Sequence, residues 1–167
     1  EKAAITVEDL LVMSSGLASD DDLDDSPGAE GYMTDTEDFL KFALDLPMDF
    51  KTGERWAYSS VVAFLLGAIV ENTSGETLEG FARKHLFAPI GITDFYWHKS
   101  PKGRNTGMGN IYFEPRDLAK LGQVMLDDGQ WNGQQILPKA FVKKSSVSCL
   151  ESTLDLFIQT FSILGSQ

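Results

Sequence analysis

Lys51-Thr52-Gly53-Glu54-Arg55-Trp56-Ala57-Tyr58-Ser59-Ser60 runs directly into Val61-Val62-Ala63-Phe64-Leu65-Leu66-Gly67-Ala68-Ile69-Val70. The first segment holds a turn-forming glycine, a phenol and two hydroxyls. The second is apolar with no polar face, the pattern of a helix enclosed by other elements. A phenol delivered at the start of such a helix is a candidate proton-transfer group, because a helix N-terminus favours phenolate over phenol. The structural alternative for Tyr58 is a tyrosine that packs or caps and whose hydroxyl simply finds a partner.

Outward from this segment, helical signals dominate. Thr6-Val7-Glu8-Asp9 reads as a capping box with Asp in the place of the usual Glu or Gln, leading through Leu10, Leu11 and Met13 to a stop at Gly16. Phe39, Leu40, Phe42, Ala43 and Leu46 suit an amphipathic helix closed by Pro47. Leu78, Phe81, Ala82 and Leu86 line one face of another helix. Pro115 fits the first position of a helix whose expected buried stripe is Leu118, Leu121, Met125 and Leu126, ended by Gly129. Thr93–Trp97 and Ile111–Phe113 read as short strands, Gln130–Gln135 as a hairpin-like turn, and Pro138 as the start of a last short helix. No internal repeat and no dividing linker interrupts the chain.

The chain has 167 residues, 43% of them hydrophobic, enough for a globular domain with a core. No apolar run approaches the roughly 18 residues of a membrane span. Net charge is −11, concentrated in residues 1–50, which carry 14 acids against 2 bases. The remainder is nearly balanced, so no basic footprint for nucleic acid exists. Asp20, Asp22 and Asp24 alternate as in a calcium loop, but Asp25 stands where Gly is needed and Gly31 where Glu is needed; the run reads as a solvated acidic loop. His85 and His98 lack a second ligand in metal spacing and read as structural. The single Cys149 excludes an internal disulfide. Trp97 and Tyr112 read as core aromatics or as pocket walls. Gly107-Met108-Gly109 reads as a tight turn or as a close backbone approach to a substrate. The opening Glu1-Lys2-Ala3-Ala4 has no initiator Met, from which upstream sequence is expected.

Five stretches in register carry a family resemblance: Ile5–Leu17, Gly53–Ser60, Ser74-Gly75-Glu76-Thr77-Leu78, Leu86–Ile92 and Pro115–Gly122, with Gly129–Gly133 behind the last. Together they resemble the serine β-lactamase/penicillin-binding-protein superfamily. The branch is that of class C β-lactamases, family VIII esterases, D-amino-acid carboxypeptidases and 6-aminohexanoate-dimer hydrolases. The resemblance implies a mainly α chain with short strands, the helical-lobe portion of the α+β β-lactamase/transpeptidase-like fold. It assigns residues 1–144 to a partial hydrolase domain and leaves 145–167 as a divergent tail. In that tail Leu150, Leu154, Phe157, Ile158 and Phe161 could form a helical stripe, and a truncated or frame-shifted end is the other reading.

The family mechanism uses a Ser-x-x-Lys nucleophile, a Tyr-x-Asn motif and a late Lys-or-His-x-Gly strand. A serine hydroxyl needs a positioned base before it attacks a carbonyl, and nearby lysine charge favours tyrosinate. Tyr58 matches the family's catalytic tyrosine. Ser60 occupies the substrate-binding Asn position, a shorter group with fewer hydrogen-bonding sites, which fits an esterase or amidase better than a true β-lactamase. No serine is followed three residues later by Lys. Lys51-Thr52-Gly53 precedes Tyr58 and reads as coincidence. Nothing after Lys144 resembles the late strand, and no Gly-x-Ser-x-Gly elbow offers another nucleophile.

The implied function is therefore part of a serine hydrolase acting through an acyl-enzyme on small ester, amide or lactam substrates. The chain alone is expected to be inactive, and no metal or organic cofactor is implied. The alternative is a non-catalytic relative that binds peptide or cell-wall ligands. Family analogy points to a periplasmic or secreted setting.

Overall fold

The computed structural model describes residues 2–147. It contains two compact units, Glu1–Lys120 and a second beginning at Leu121, and the division falls inside one continuous helix rather than at a linker.

In the first unit the central element is α4, Ser60–Ser74. It begins where the hydroxyl pair permits. Ser59 is the N-cap, its Oγ accepting from Val62 N at 3.1 Å, and Gly75 ends the helix in the left-handed region at φ 72°. Three shorter helices surround it: α1 (Val7–Leu11), α2 (Glu30–Thr34) and α3 (Phe39–Asp45). One face of α4 presents Val61 and Phe64 to Met33 of α2 and to Phe39, Ala43 and Leu46 around α3. The Phe39 and Phe64 rings meet edge-on at 5.7 Å. Val62 lies in a second cluster with Leu10 and Leu17. Each such fully buried side chain stabilises the fold by about 1.5–3 kcal/mol.

The Thr6–Asp9 capping box forms as expected. Thr6 Oγ1 accepts from Asp9 N at 3.2 Å, and Asp9 Oδ2 accepts from Thr6 N at 2.8 Å. The helix stop is not at Gly16, however: α1 ends at Leu11, with Val12 as C-cap and Met13 at φ 55°. Gly16 is required for another reason. A Cβ there would lie 2.5 Å from Phe50 O, because residues 13–18 run against 47–57 through Ala18 N to Pro47 O, Asp49 N to Gly16 O, Gly53 N to Ser14 O and Ala57 N to Met13 O. The Lys51-Thr52-Gly53 turn belongs to this contact, with Thr52 Oγ1 donating to Ser15 O.

Beyond α4, α5 covers only Leu78–Ala82 and passes into a π turn, Arg83–Phe87, and a 3-10 turn, Ala88–Ile90. Strands β1 (Phe95–Trp97) and β2 (Ile111–Phe113) pair antiparallel, with Phe95 opposite Phe113, Tyr96 opposite Tyr112 and Trp97 opposite Ile111. Strand alternation sends Phe95, Trp97 and Phe113 onto Phe87 and leaves Tyr96 and Tyr112 exposed. The glycine-rich stretch before β2 packs on α4: a Cβ on Gly107 would lie 2.8 Å from Ala63 O.

Helix α6, Pro115–Leu126, starts at Pro115 as expected, but of its expected stripe Leu121 alone is partly buried. Leu118 is 59% exposed and Leu126 81% exposed, and Val124 is the one buried residue of the helix. An apolar stripe is buried only where another layer covers it, and among the described residues nothing covers Leu118, Met125 or Leu126.

In the second unit β3 (Gln130–Trp131) and β4 (Gln134–Gln135) form a hairpin. Its turn residues Asn132 and Gly133 both have positive φ, 48° and 81°, the requirement of a two-residue turn that matches strand twist. Helix α7, Lys139–Ser145, follows Pro138. The Leu150–Phe161 stripe and Cys149 lie outside the described residues.

Candidate active site

Residues 58–60 are held from the acidic loop, one after another. Ser19 Oγ donates to Gly28 O at 2.6 Å and lies 2.6 Å from Ser59 Oγ. A hydroxyl has one proton, so Ser59 is the donor in that contact. The chain of donors then runs from Val62 N through Ser59 Oγ and Ser19 Oγ to Gly28 O. Gly28 must be glycine, since a Cβ would lie 2.6 Å from Ser19 Cβ and 2.7 Å from Ala18 O.

Asp21 grips the residues on either side of Ser59. Its N–H donates to Tyr58 O at 2.9 Å, its Oδ2 accepts from Ser60 N at 2.6 Å, and its Oδ1 accepts from Glu30 N at 2.8 Å. Ser60 is buried, and its Oγ donates to Glu30 Oε2 at 3.3 Å. The acidic run is thus not wholly solvated. Asp22, Leu23, Asp24 and Asp25 face outward, while Asp21 turns in to the first turns of α4 and α2. Carboxylates are favourable there because the helix N–H groups lack partners.

Tyr58 stands just before the N-cap of α4 and is 41% exposed, its ring 6.5 Å from that of Trp56. It is not enclosed in the core. The two residues singled out from sequence are therefore presented differently: Tyr58 offers its phenol to solvent, whereas the Ser60 hydroxyl is engaged by Glu30. Arg55, close by in sequence, lies 4.0 Å from Asp20 and 3.5 Å from Asp49, with its guanidinium 4.3 Å from the Phe50 ring. An open cavity of ≈ 400 Å³ lies beside Glu30, with Asp21, Asp24, Tyr32 and Asp35 in its walls; Tyr58 and Ser60 are not among them. Among the described residues no group of three His, Cys, Asp or Glu is placed to hold a metal ion.

Other residues considered from sequence have structural partners. The Trp97 indole N–H donates to Thr106 O and Gly109 O. Tyr112 stacks with Tyr96 and His98 on the outer face of the hairpin, and His85 packs on Phe81 at 4.5 Å. Gly107 is close to helix α4, with Ala63 O the nearest atom to a Cβ there. Asp21, Ser19, Gly28 and Glu30 were missed as site residues. The bonds of Ser19, Asp21 and Glu30 to residues 59 and 60 span 30 to 40 positions, and no local pattern reports such a contact.

The beta-lactamase family model matches residues 1–148. The chain belongs to the beta-lactamase family. It is 29% identical over 119 residues to N-acetylmuramyl-L-alanine amidase of Bacillus subtilis, covering 71% of this chain and 25% of the amidase. The chain spans about a quarter of the length of the first curated relatives it matches. Among solved structures, a mutant of simvastatin synthase from Aspergillus terreus superposes with a TM-score of 0.65 at 20% identity, over 94% of this chain and 44% of that one. The penicillin-binding protein homologue of Pyrococcus abyssi gives 0.61 at 24% identity, over 84% and 38%. Likeness at these identities shows the fold: this beta-lactamase family chain is mainly helical with short strands, a helical-lobe portion of the β-lactamase/transpeptidase-like fold.

Proposed function

We propose that this beta-lactamase family chain is the Tyr58-bearing portion of a serine hydrolase that works through an acyl-enzyme. The observation that carries the reading is the pairing of an exposed phenol at the mouth of a 15-residue helix with a backbone locked immediately behind it. In this reading Tyr58, as phenolate, takes the proton of a serine supplied by a Ser-x-x-Lys segment. The serine oxygen bonds to the carbonyl carbon of an ester, amide or lactam, and the leaving group departs with a proton. Ser60 stands at the position of the family's substrate-binding Asn, and its hydroxyl would have to leave Glu30 to meet a substrate. The chain's likeness to an N-acetylmuramyl-L-alanine amidase and to a penicillin-binding protein homologue favours wall-derived amides as substrates and a periplasmic or secreted setting.

Because no serine in the sequence has Lys three residues on, the chain alone is expected to form no acyl adduct. Intact-mass measurement after a fluorophosphonate probe checks this, and a stoichiometric adduct on any serine would overturn it. In a protein that joins this chain to a Ser-x-x-Lys segment, Tyr58→Phe is expected to lower turnover of a chromogenic ester by about 10²–10⁴-fold. Near-native turnover would reject the role of Tyr58. Ligand binding with no covalent adduct in that longer protein would instead support a non-catalytic binding function.

A further inference from the structure

The acidic loop reaches residues 58–60 at three successive positions, and one residue makes two of those contacts. Asp21 donates its backbone N–H to Tyr58 O and accepts Ser60 N–H on Oδ2, so it closes a ring around the two peptide units that carry the phenol into α4. Ser19 fixes Ser59 between them. The second carboxylate oxygen accepts Glu30 N–H, and Glu30 in turn accepts the Ser60 hydroxyl.

We propose that Asp21 is the positioning residue of this site: it sets the Tyr58–Ser60 step by tying the N-termini of α4 and α2 to one carboxylate. The proposal rests on the reading of Tyr58 as a proton acceptor, for which a fixed phenol position is the requirement. Three physical points support it. Tyr58 is exposed and its ring neighbour Trp56 is exposed as well, so packing does not hold the phenol and its backbone must. A carboxylate presents two acceptor oxygens, and here each meets a different N–H. A side-chain amide has one acceptor oxygen and would point an NH₂ group at the other N–H. Finally, Asp22, Asp24 and Asp25 face solvent, and the partly buried Asp20 is turned to Asp22 N–H and Arg55, so the carboxylate of the run that reaches α4 is that of Asp21.

The test compares Asp21→Ala, Asp21→Asn and the outward-facing control Asp22→Ala, made in this chain with ¹³C-labelled tyrosine. The readouts are amide hydrogen exchange at Ser60 and Glu30 and the four tyrosine ring signals. In Asp21→Ala, Ser60 N–H is expected to exchange at least tenfold faster and the Tyr58 signal to shift or broaden, with Tyr96 and Tyr112 unmoved. Asp22→Ala is expected to match the native chain. Asp21→Asn is expected to keep protection at one of the two amides and lose it at the other. Exchange at Ser60 within twofold of native, with an unmoved Tyr58 signal, would overturn the proposal. So would a uniform rise across the chain with Tyr96 and Tyr112 also moving, since Asp21 would then hold the whole fold rather than this step. If Asp21→Ala does not fold, Asp21→Asn decides alone: both amides protected and Tyr58 unmoved would sink the idea. None of these readouts depends on catalysis, so Tyr58→Phe turnover can fail while Asp21 stands, or the reverse.

Discussion

Helices α4 and α6 are both long and both carry apolar residues, yet they end in opposite environments. Val61, Val62 and Phe64 of α4 are each at most 2% exposed, whereas Leu118 and Leu126 of α6 are more than half exposed. The N-terminus of α4 is gripped by Ser19, Asp21 and Glu30 from distant loops and turns. Helix α6 starts on a proline, with the Asp117 and Leu118 N–H groups donating to Glu114 O. The difference shows that an apolar helical face records a capacity for burial, and that neighbouring layers decide whether it is used.

The largest effect should come from emptying the α4 core. Phe64→Ala is expected to cost about 3–5 kcal/mol, whereas Leu126→Ala should stay within about 0.5 kcal/mol. Urea unfolding of both variants measures the contrast, and similar losses would show that α6 is covered after all. Next come two glycines. Gly107→Ala drives a methyl toward Ala63 O of α4 and is expected to cost about 1–3 kcal/mol. Gly122→Ala, in open space on α6, should stabilise by about 0.5–1 kcal/mol.

Ser59→Ala removes the α4 cap and the donor to Ser19, at an expected cost of about 1 kcal/mol. The smallest effect is with pH. Asp9 in the first turn of α1 and Asp38 at the N-cap of α3 are carboxylates held below their ordinary value. Asp9 is lowered by its side-chain and backbone bonds to Thr6. Asp38 is lowered first by the Lys102 ammonium and then by the Lys41 backbone N–H. Carboxylates depressed in the folded state contribute stability that is present above the unfolded value of 3.8 and is lost as pH falls through the folded values. Amide exchange should therefore rise in α1 and α3 as pH falls below 3.8. Asp38→Asn should remove the acid response of α3.

Much of the fold was legible in the chain. The Val61–Val70 run behind Ser59 specified α4, Thr6 and Asp9 specified the cap of α1, Asn132-Gly133 specified the hairpin turn, and Pro115 marked the start of α6. Each is a local relation, in which a side chain acts on backbone a few residues away. The grip on Tyr58 was not legible, because Asp21 sits in an acidic run with nothing local to single it out and its partner Ser60 is 39 positions on. The α6 stripe misled for the complementary reason: its periodicity was present, but among the described residues nothing covers Leu118, Met125 or Leu126.

Residue order by itself determined where α1, α4 and α6 begin, that Asn132-Gly133 forms a turn, and that a phenol and two hydroxyls open a buried helix; it did not mark α2. Tertiary structure alone decided that Asp21 of the acidic run reaches the start of α4, that the Ser60 hydroxyl is taken by Glu30, and that Leu118 and Leu126 are exposed. The physical reason is range. Propensity and capping act within a turn of helix, whereas burial and long-range hydrogen bonds exist only once distant segments meet.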